Sequence, residues 1–375
     1  MTEIYLIRHM QAEGNLFRVM QGHYDGAVTP LGLRQAELLG ERFRGVPFDA
    51  LYSSDLSRAR LTAEALQPSC PLPLRTDPRL REIHVGRWEA RFFGDLQHEE
   101  PESIAHYLLR PGDWQMDGAE TYRDVAERVA AAMEEIARRH EGQRVAVVSH
   151  GVAIRCLLAR LLDLDVNEPD RLPIALNTAV SRLLYENGRW SADYLNDASH
   201  LDALQLPAWE RSPTFWAEPL DPRREADYYT SCYADAWRAA HGSLLGYEPE
   251  PYLDGAVEHR RADPGAVLKI WCGDEPAGLV DLDTRRGAFF GCGWVSLLYL
   301  APAYRRRGCG VQLLGRAVMR YRELGRRALR LHVAESNADA LAFYRKQGFT
   351  ELSHEQTGLG RLLLMEKKLG GPRHV

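Results

Sequence analysis

At 375 residues the chain exceeds the usual span of one compact core, so two domains are expected. Apolar residues make up 45% and charged residues 26%, and 47 basic against 52 acidic side chains leave a net charge of −5. That balance points away from nucleic acid and from a membrane as partners. The start MTEIYLIRH has no basic stretch ahead of its apolar run, and no apolar segment approaches the roughly 18 residues of a membrane helix, so a cytoplasmic location is expected. Six cysteines (Cys70, Cys156, Cys232, Cys272, Cys292 and Cys309) show no CxxC spacing, which argues against a zinc ribbon or a disulfide scaffold and suggests no metal site.

Strand and helix signals alternate through the first half. Residues 4–7 form a short apolar strand, and Thr29 before Pro30 reads as an N-cap with proline at the first helical position, ahead of LGLRQAELLGERF. Residues 50–52 make a second strand that closes on Ser53 and Ser54, followed by helical LSRARLTAEAL. Thr121 opens YRDVAERVAAAMEEIARRH, with apolar residues at helical spacing, and residues 144–148 are a near-continuous apolar strand ending in SHG. This alternation implies an α/β fold with a mostly parallel sheet covered on both faces. Its ligand site should lie beyond the carboxyl ends of the strands.

Pro207, Pro213, Pro219 and Pro222 interrupt any periodicity, so a linker is expected at 206–220, between an N-terminal domain (1–205) and a C-terminal one (221–375). After it come a helix at 225–240, β-rich runs at 266–272 and 277–283, and a strand at 293–300. An arginine-rich loop with two glycines, a helix, a strand at 328–333, a helix ending at Gly348 and a strand pair around 361–366 complete an α+β domain. Stretches 90–119 and 244–261 read as loops.

Arg8 and His9 directly follow one strand and His150 follows another, so a parallel sheet can deliver all three to one crevice, with Arg58 in the first turn of the helix after Ser54. Two guanidiniums and two imidazoles around a point suit a phosphate dianion. An imidazole nitrogen held there can attack phosphorus in line and form a phosphohistidine. The leaving alkoxide needs a proton, and Glu82 in LREIHVGRWE is the candidate donor.

With LIRHMQAEGN, TPLGLRQA, YSSDLSRARLTA, LREIHVGRWE, DGAETYRDVAERV and VVSHGVAIR in this order, the sequence resembles the histidine phosphatase (phosphoglycerate mutase-like) superfamily from residue 1 to about 201. The resemblance implies a three-layer α/β/α fold with His9 as nucleophile, Arg8, Arg58 and His150 as the phosphate pocket, Glu82 as proton donor and Asn15 as a secondary phosphate contact. No cofactor is implied. Two departures stand out: Met10 where the family's RHG triplet has glycine, expected to shift the pocket floor or narrow access, and Ala90 where glycine usually follows the WE pair. The mutases of this superfamily carry a long insertion that the short stretch from Glu82 to Glu120 lacks, so phosphatase is favoured over mutase.

In the C-terminal half, Arg305-Arg306-Arg307-Gly308-Cys309-Gly310-Val311 precedes a helix. Glycines there let the backbone approach an anion, and the helix start adds free N–H groups, so a diphosphate suits the loop. Together with LRLHVAESNADALAFYRKQGF, the loop resembles the GNAT acetyltransferase family over about 221–369. The resemblance implies that Leu300, Arg305, Arg306, Arg307, Gly308, Cys309, Gly310 and Val311 bind the pyrophosphate side of acetyl-CoA or another acyl-CoA. It further implies that Asn337 contacts the pantetheine region and that Tyr344 protonates the departing thiolate. The strand GWVSLLYL has no glutamate to deprotonate an amine, so the base is Glu335, Asp281, Asp283, a water, or no dedicated group. Basic residues from Arg316 to Arg330 alternate with apolar ones at helical spacing and read as a helix face rather than a nucleic-acid site.

The sequence thus describes a bifunctional enzyme that hydrolyses a small phosphomonoester through His9 and acylates a small amine. The alternatives are a phosphate- and CoA-binding sensor with one inactive pocket, or a phosphoglycerate mutase-type phosphotransferase. Neither substrate nor the oligomeric state is legible.

Overall fold

The computed structural model describes residues 1–67, 71–168, 171–204 and 212–370, so Cys70 and the start of the expected linker lie outside the described residues. Two compact units divide between Leu206 and Pro207. Among the described residues no helix is long and apolar enough to cross a membrane.

The first unit runs β1 (Thr2–Arg8), α1 (Glu13–Phe17), α2 (Pro30–Arg42), β2 (Ala50–Ser53), α3 (Ser57–Glu64), β3 (Leu74–Thr76), α4 (Phe93–Glu99), α5 (Pro101–Leu109), α6 (Tyr122–Arg139), β4 (Arg144–Ser149), α7 (Gly151–Leu161), β5 (Val180–Glu186) and β6 (Arg189–Asp197). Its single sheet has the order β3-β2-β4-β1-β5-β6. The first four strands in that order are parallel, and β5 and β6 are added antiparallel.

Strand alternation sends side chains to two separate cores. Ile4, Leu6, Val145 and Val147 pack with Val129, Met133 and Ile136 of α6 and Leu157 of α7, whereas Ile7, Leu51, Ala146 and Val148 pack with Leu39 of α2 and Ala59 and Ala63 of α3. A strand buried on both faces has no polar side, which is why β4 reads as an unbroken apolar run. The caps form as their residues dictate. Thr29 Oγ1 accepts from the Gly32 N–H at 2.9 Å, and Thr121 and Asp124 close a reciprocal capping box on α6. The stretch 90–119 is not a plain loop, because α4 and α5 fold within it, next to the fully buried pair Trp88 and Trp114.

The second unit runs β7 (Trp216–Pro219), α8 (Ala226–His241), α9 (Pro249–Ala262), β8 (Val267–Cys272), β9 (Glu275–Asp283), β10 (Cys292–Leu300), α10 (Gly310–Glu323), β11 (Ala328–Ala334), α11 (Ala338–Lys346), β12 (Thr350–Thr357) and β13 (Gly360–Lys368). Its mixed sheet has the order β12-β13-β11-β10-β9-β8-β7, with β10 and β11 the one parallel pair. That pair is joined only over Cys292–Val295 and Ala328–Leu331, although β10 continues to Leu300 and β11 to Ala334.

Two expectations are corrected here. The linker at 206–220 is shorter than its prolines suggest, because Trp216–Pro219 is an edge strand paired with β8, with Trp216 stacked on Trp271 at 5.5 Å. An edge strand has one unpaired side, so it tolerates proline. The stretch 244–261 contains α9, whose two prolines fall in its first turn, where the missing N–H groups would be unbonded anyway.

α9 is tied to the sheet by charge. His259 Nδ1 lies 2.7 Å from Asp281 Oδ1 and its Nε2 3.5 Å from Asp283 Oδ2, while the Tyr229 hydroxyl donates to Asp281 Oδ2 at 2.8 Å. Desolvation lowers the proton affinity of His259, but hydrogen bonds and charge from the two aspartates outweigh it and raise its pKa to about 9. Its stabilisation is therefore complete below the ordinary value of about 6.5 and is lost as pH rises through about 9. Urea unfolding between pH 6 and 10 should show that decline for the second unit, and His259→Gln should remove it; an equal decline in the variant would assign it elsewhere.

Candidate functional site

The parallel register of β1 on β4 sets Arg8 opposite Ser149, so the next residues along, His9 and His150, emerge side by side beyond the sheet with ring centroids 5.1 Å apart. The His9 carbonyl accepts from Asn177 Nδ2 at 2.9 Å, and its N–H donates to Ser149 O at 2.9 Å. His9 Nδ1 is 2.7 Å from the Met10 carbonyl, which can only accept, so Nδ1 carries the proton and Nε2 holds the lone pair. Burial, reinforced by the charges of Arg58 and Arg8, holds the His9 pKa well below the usual value. The ring is neutral at neutral pH, as a nucleophile must be.

His150 is fully buried and caps α7, and burial followed by the Arg58 charge keeps it neutral as well. Among the described residues both of its ring nitrogens lack a partner, as do Arg8 Nε and Arg58 Nε. Four buried polar atoms of three neighbouring residues are thus unsatisfied; arginine Nε atoms elsewhere in the chain, such as those of Arg155 and Arg182, are left so as well, but only here among the described residues do two such arginines meet an unpartnered histidine. Arg8 donates from Nη1 to Ala175 O, and burial lowers its pKa to about 10. Its guanidinium occupies the space over Gly151: a Cβ there would lie 3.3 Å from Arg8 Nε and 3.0 Å from Ile174 Cγ2. Arg58 does more than face the pocket. Its Nη atoms donate to the carbonyls of Gln21, Gly22 and Tyr24 and reach Asp25, which fixes the 21–25 loop.

Glu82 accepts from the N–H groups of Val152 at 3.1 Å and Ala153 at 2.9 Å, so its carboxylate sits on the first turn of the helix that His150 caps. Arg128 of α6 grips the carbonyls of Arg79, Arg81 and Glu82 and pairs with Glu120, thereby holding the segment that presents Glu82. Asn15 is placed differently from the expectation. Its Oδ1 accepts from the Ala12 N–H at 3.0 Å and caps α1, so only its NH2 end is left to meet an anion.

The two departures from the family pattern separate physically. Met10 has no positive φ, its side chain is buried, and its N–H donates to Thr62 Oγ1 at 2.9 Å, so a side chain fits there without strain. Ala90 has φ +62°, the left-handed region in which glycine is the low-strain residue. The sequence reading missed Asn177 and Thr178. Thr178 N–H donates to Arg8 O at 3.0 Å from a backbone at φ +63°, rare for a β-branched residue.

In the second unit α10 begins at Gly310, and no side-chain cap bond closes its N-terminus among the described residues. Gly308 has φ +73° with nothing within 4 Å of a Cβ position, so the backbone there is open to a diphosphate. The arginines are less free than their sequence suggests. Arg305 pairs with Asp235 at 2.6 Å and bonds Leu300 O at 2.7 Å, Arg306 pairs with Asp339 at 2.8 Å, and Arg307 reaches Ala303 O at 3.4 Å. Cys309 is buried, Val311 stands in the first turn of α10, and Asn337 Oδ1 caps α11 through the Ala340 N–H. Tyr344 packs against Phe343 and Phe349, and burial raises its pKa above the ordinary tyrosine value.

Of the three candidate bases, Glu335 is paired with Arg361. Asp281 has both oxygens engaged. Asp283, for which burial is outweighed by His259 and backbone N–H groups, has its pKa lowered to about 2 and is a poor base. Cations in and near α10 are largely bound as well: Arg320 holds Asp263 at 2.7 Å and Arg330 of β11 holds Glu366 at 2.7 Å. No group of three or more His, Cys, Asp or Glu side chains among the described residues could hold a metal ion.

Comparison with known proteins matches both halves. The histidine phosphatase superfamily (branch 1) model matches residues 4–198, and the acetyltransferase (GNAT) family model matches residues 226–349. A probable phosphoglycerate mutase GpmB of Salmonella choleraesuis (strain SC-B67) is 33% identical over 216 residues, which is 56% of this chain and 100% of that protein. Bacillus stearothermophilus YhfR, a solved structure, is 32% identical with a TM-score of 0.52, covering 54% of this chain and 100% of its own. The structure of a mycobacterial glucosyl-3-phosphoglycerate phosphatase is 28% identical with a TM-score of 0.49, covering 52% of this chain and 99% of its own.

If Arg8 faces a bound anion, Gly151→Ala should displace its guanidinium and raise the Kd for inorganic phosphate about tenfold in calorimetry. An unchanged Kd would remove Arg8 from the pocket.

Proposed function

Because the chain belongs to the histidine phosphatase superfamily and carries a GNAT acetyltransferase domain after it, we propose that it hydrolyses phosphomonoesters through His9 and transfers an acyl group from acyl-CoA to an amine. The observation that carries the first activity is the set of unsatisfied buried atoms on Arg8, Arg58 and His150 beside a neutral His9. In this reading phosphate oxygens take those donors and the His9 Nε2 lone pair attacks phosphorus. The phosphorus–oxygen bond to the alcohol breaks, and Glu82 gives the leaving alkoxide its proton. The Glu82 carboxylate then takes a proton from water as that water attacks the phosphohistidine. Phosphate is released and Nε2 regains its lone pair.

Trapping the intermediate tests this. An acid quench is avoided because phosphohistidine is acid-labile, so aryl phosphate labelled in its phosphoryl group is mixed with enzyme and quenched in alkali. Label on the native chain and none on His9→Ala is expected, with hydrolysis reduced at least about a thousandfold. Unchanged hydrolysis by His9→Ala would reassign the nucleophile. The name of the Salmonella relative supports a rival reading, a mutase. That reading predicts phosphate moved between hydroxyls of one substrate rather than released, which phosphorus NMR distinguishes.

For the second unit, the open backbone at Gly308 supports cofactor binding. Gly308–Val311 would hold the diphosphate of acyl-CoA, and the thioester supplies the activated acyl group. The Tyr344 hydroxyl would protonate the departing thiolate. The acceptor amine loses its proton to water, since none of the three carboxylates is free to take it. Coenzyme A at a hundredfold excess over Kd should stabilise the protein by about 2.7 kcal/mol in a thermal-shift assay, and Gly308→Glu should abolish that gain. No shift with the native chain would count against cofactor binding.

A further inference from the structure

His23 and His84 stand next to Glu82 and take no part in the chemistry assigned to His9, Glu82 and His150. His23 belongs to the loop that Arg58 fixes, His84 follows Glu82 by two residues, and the rings meet edge to face with centroids 4.9 Å apart. Both are partly exposed, in contrast to the buried His9 and His150. His23 Nε2 is 3.0 Å from the Glu82 carbonyl, and His84 Nδ1 is 2.8 Å from the Gly118 carbonyl. Carbonyls only accept, so each of these nitrogens carries the ring proton; the Gly86 N–H, 3.3 Å from His84 Nδ1, is the longer contact. Each ring is left with one lone pair, on Nδ1 of His23 and Nε2 of His84, and neither has a partner among the described residues. Burial lowers the proton affinity of His23, which keeps that ring neutral.

The neighbouring carboxylates, which would compete as acceptors, are already engaged. Glu89 is occupied by the N–H groups of His23, Tyr24 and Val85, and Glu120 by Arg128 and the His84 N–H. We propose that His23 and His84 form a recognition rim that accepts hydrogen bonds from the alcohol part of the phosphomonoester. The rim selects esters carrying hydroxyl or ammonium donors near the phosphorylated carbon. This rests on the phosphatase reading above. A carboxylate in that place would face two lone pairs, and an ester without donors would leave both acceptors desolvated and unpaired.

The test uses the full chain and three esters: glycerol 3-phosphate, n-propyl phosphate and 3-phosphoglycerate. The expected result is a kcat/KM for glycerol 3-phosphate about tenfold or more above that for propyl phosphate, and above that for 3-phosphoglycerate. His23→Leu and His84→Leu should each bring the first ratio toward one, chiefly through KM, whereas His84→Gln, whose amide oxygen still accepts, should keep most of it. A native ratio near one, ratios unmoved in both leucine variants, or a preference for 3-phosphoglycerate would overturn the rim. If the native chain hydrolysed none of the three, the phosphatase reading would fall and this inference with it.

Discussion

Parallel pairing of β1 with β4, in the register that sets Arg8 opposite Ser149, is the constraint on which the N-terminal site rests. Both strands are buried on two faces, so a slip of one residue would exchange Ile4 and Leu6 with Tyr5 and Ile7 between two differently shaped cores. The packing of α6 and α7 on one side and of α2 and α3 on the other therefore fixes where the strands end. The two histidines occupy the first position past each end. Their proximity follows from core packing and needs no contact between them.

The same packing creates an electrostatic problem. Two guanidiniums are brought into a dry crevice beside two neutral imidazoles, and burial lowers the proton affinity of both arginines. Arg58 is offset by Asp25 and three carbonyls, so it anchors the 21–25 loop as well as facing the pocket. Arg8 has fewer partners, and Thr178, held at a left-handed φ, bonds its carbonyl. Strain and uncompensated charge gather around His9, where a dianion would relieve the second.

How much of this was legible depends on the range of the interaction. Thr29 with Pro30, Thr121, and the apolar run of β4 act locally and stand in the sequence as they stand in the fold. The turn Asn187-Gly188, with φ +51° and +77°, is an equally local hairpin signal between β5 and β6. Sequence motifs also placed Arg8, His9, Arg58, Glu82 and His150 in a shared neighbourhood. What they could not convey is partnership across the chain. Arg305 turning to Asp235, His259 neutralising Asp281 and Asp283, and Asn177 reaching His9 each depend on tertiary packing. The helix α9 was missed for a related reason: its prolines are harmless only because they fall in its first turn.

Gly151 and Arg8 lie far apart in the chain yet pack closely, since a Cβ on the first would press within 3.3 Å of the guanidinium Nε of the second and 3.0 Å of Ile174 Cγ2. Tolerance at either position is therefore conditional on the other. A lineage that shortened Arg8 would ease one of the two contacts that crowd position 151, and a larger residue fixed there would make a returning arginine shift its guanidinium. That coupling makes the effect of a substitution at either position depend on the residue already present at the other.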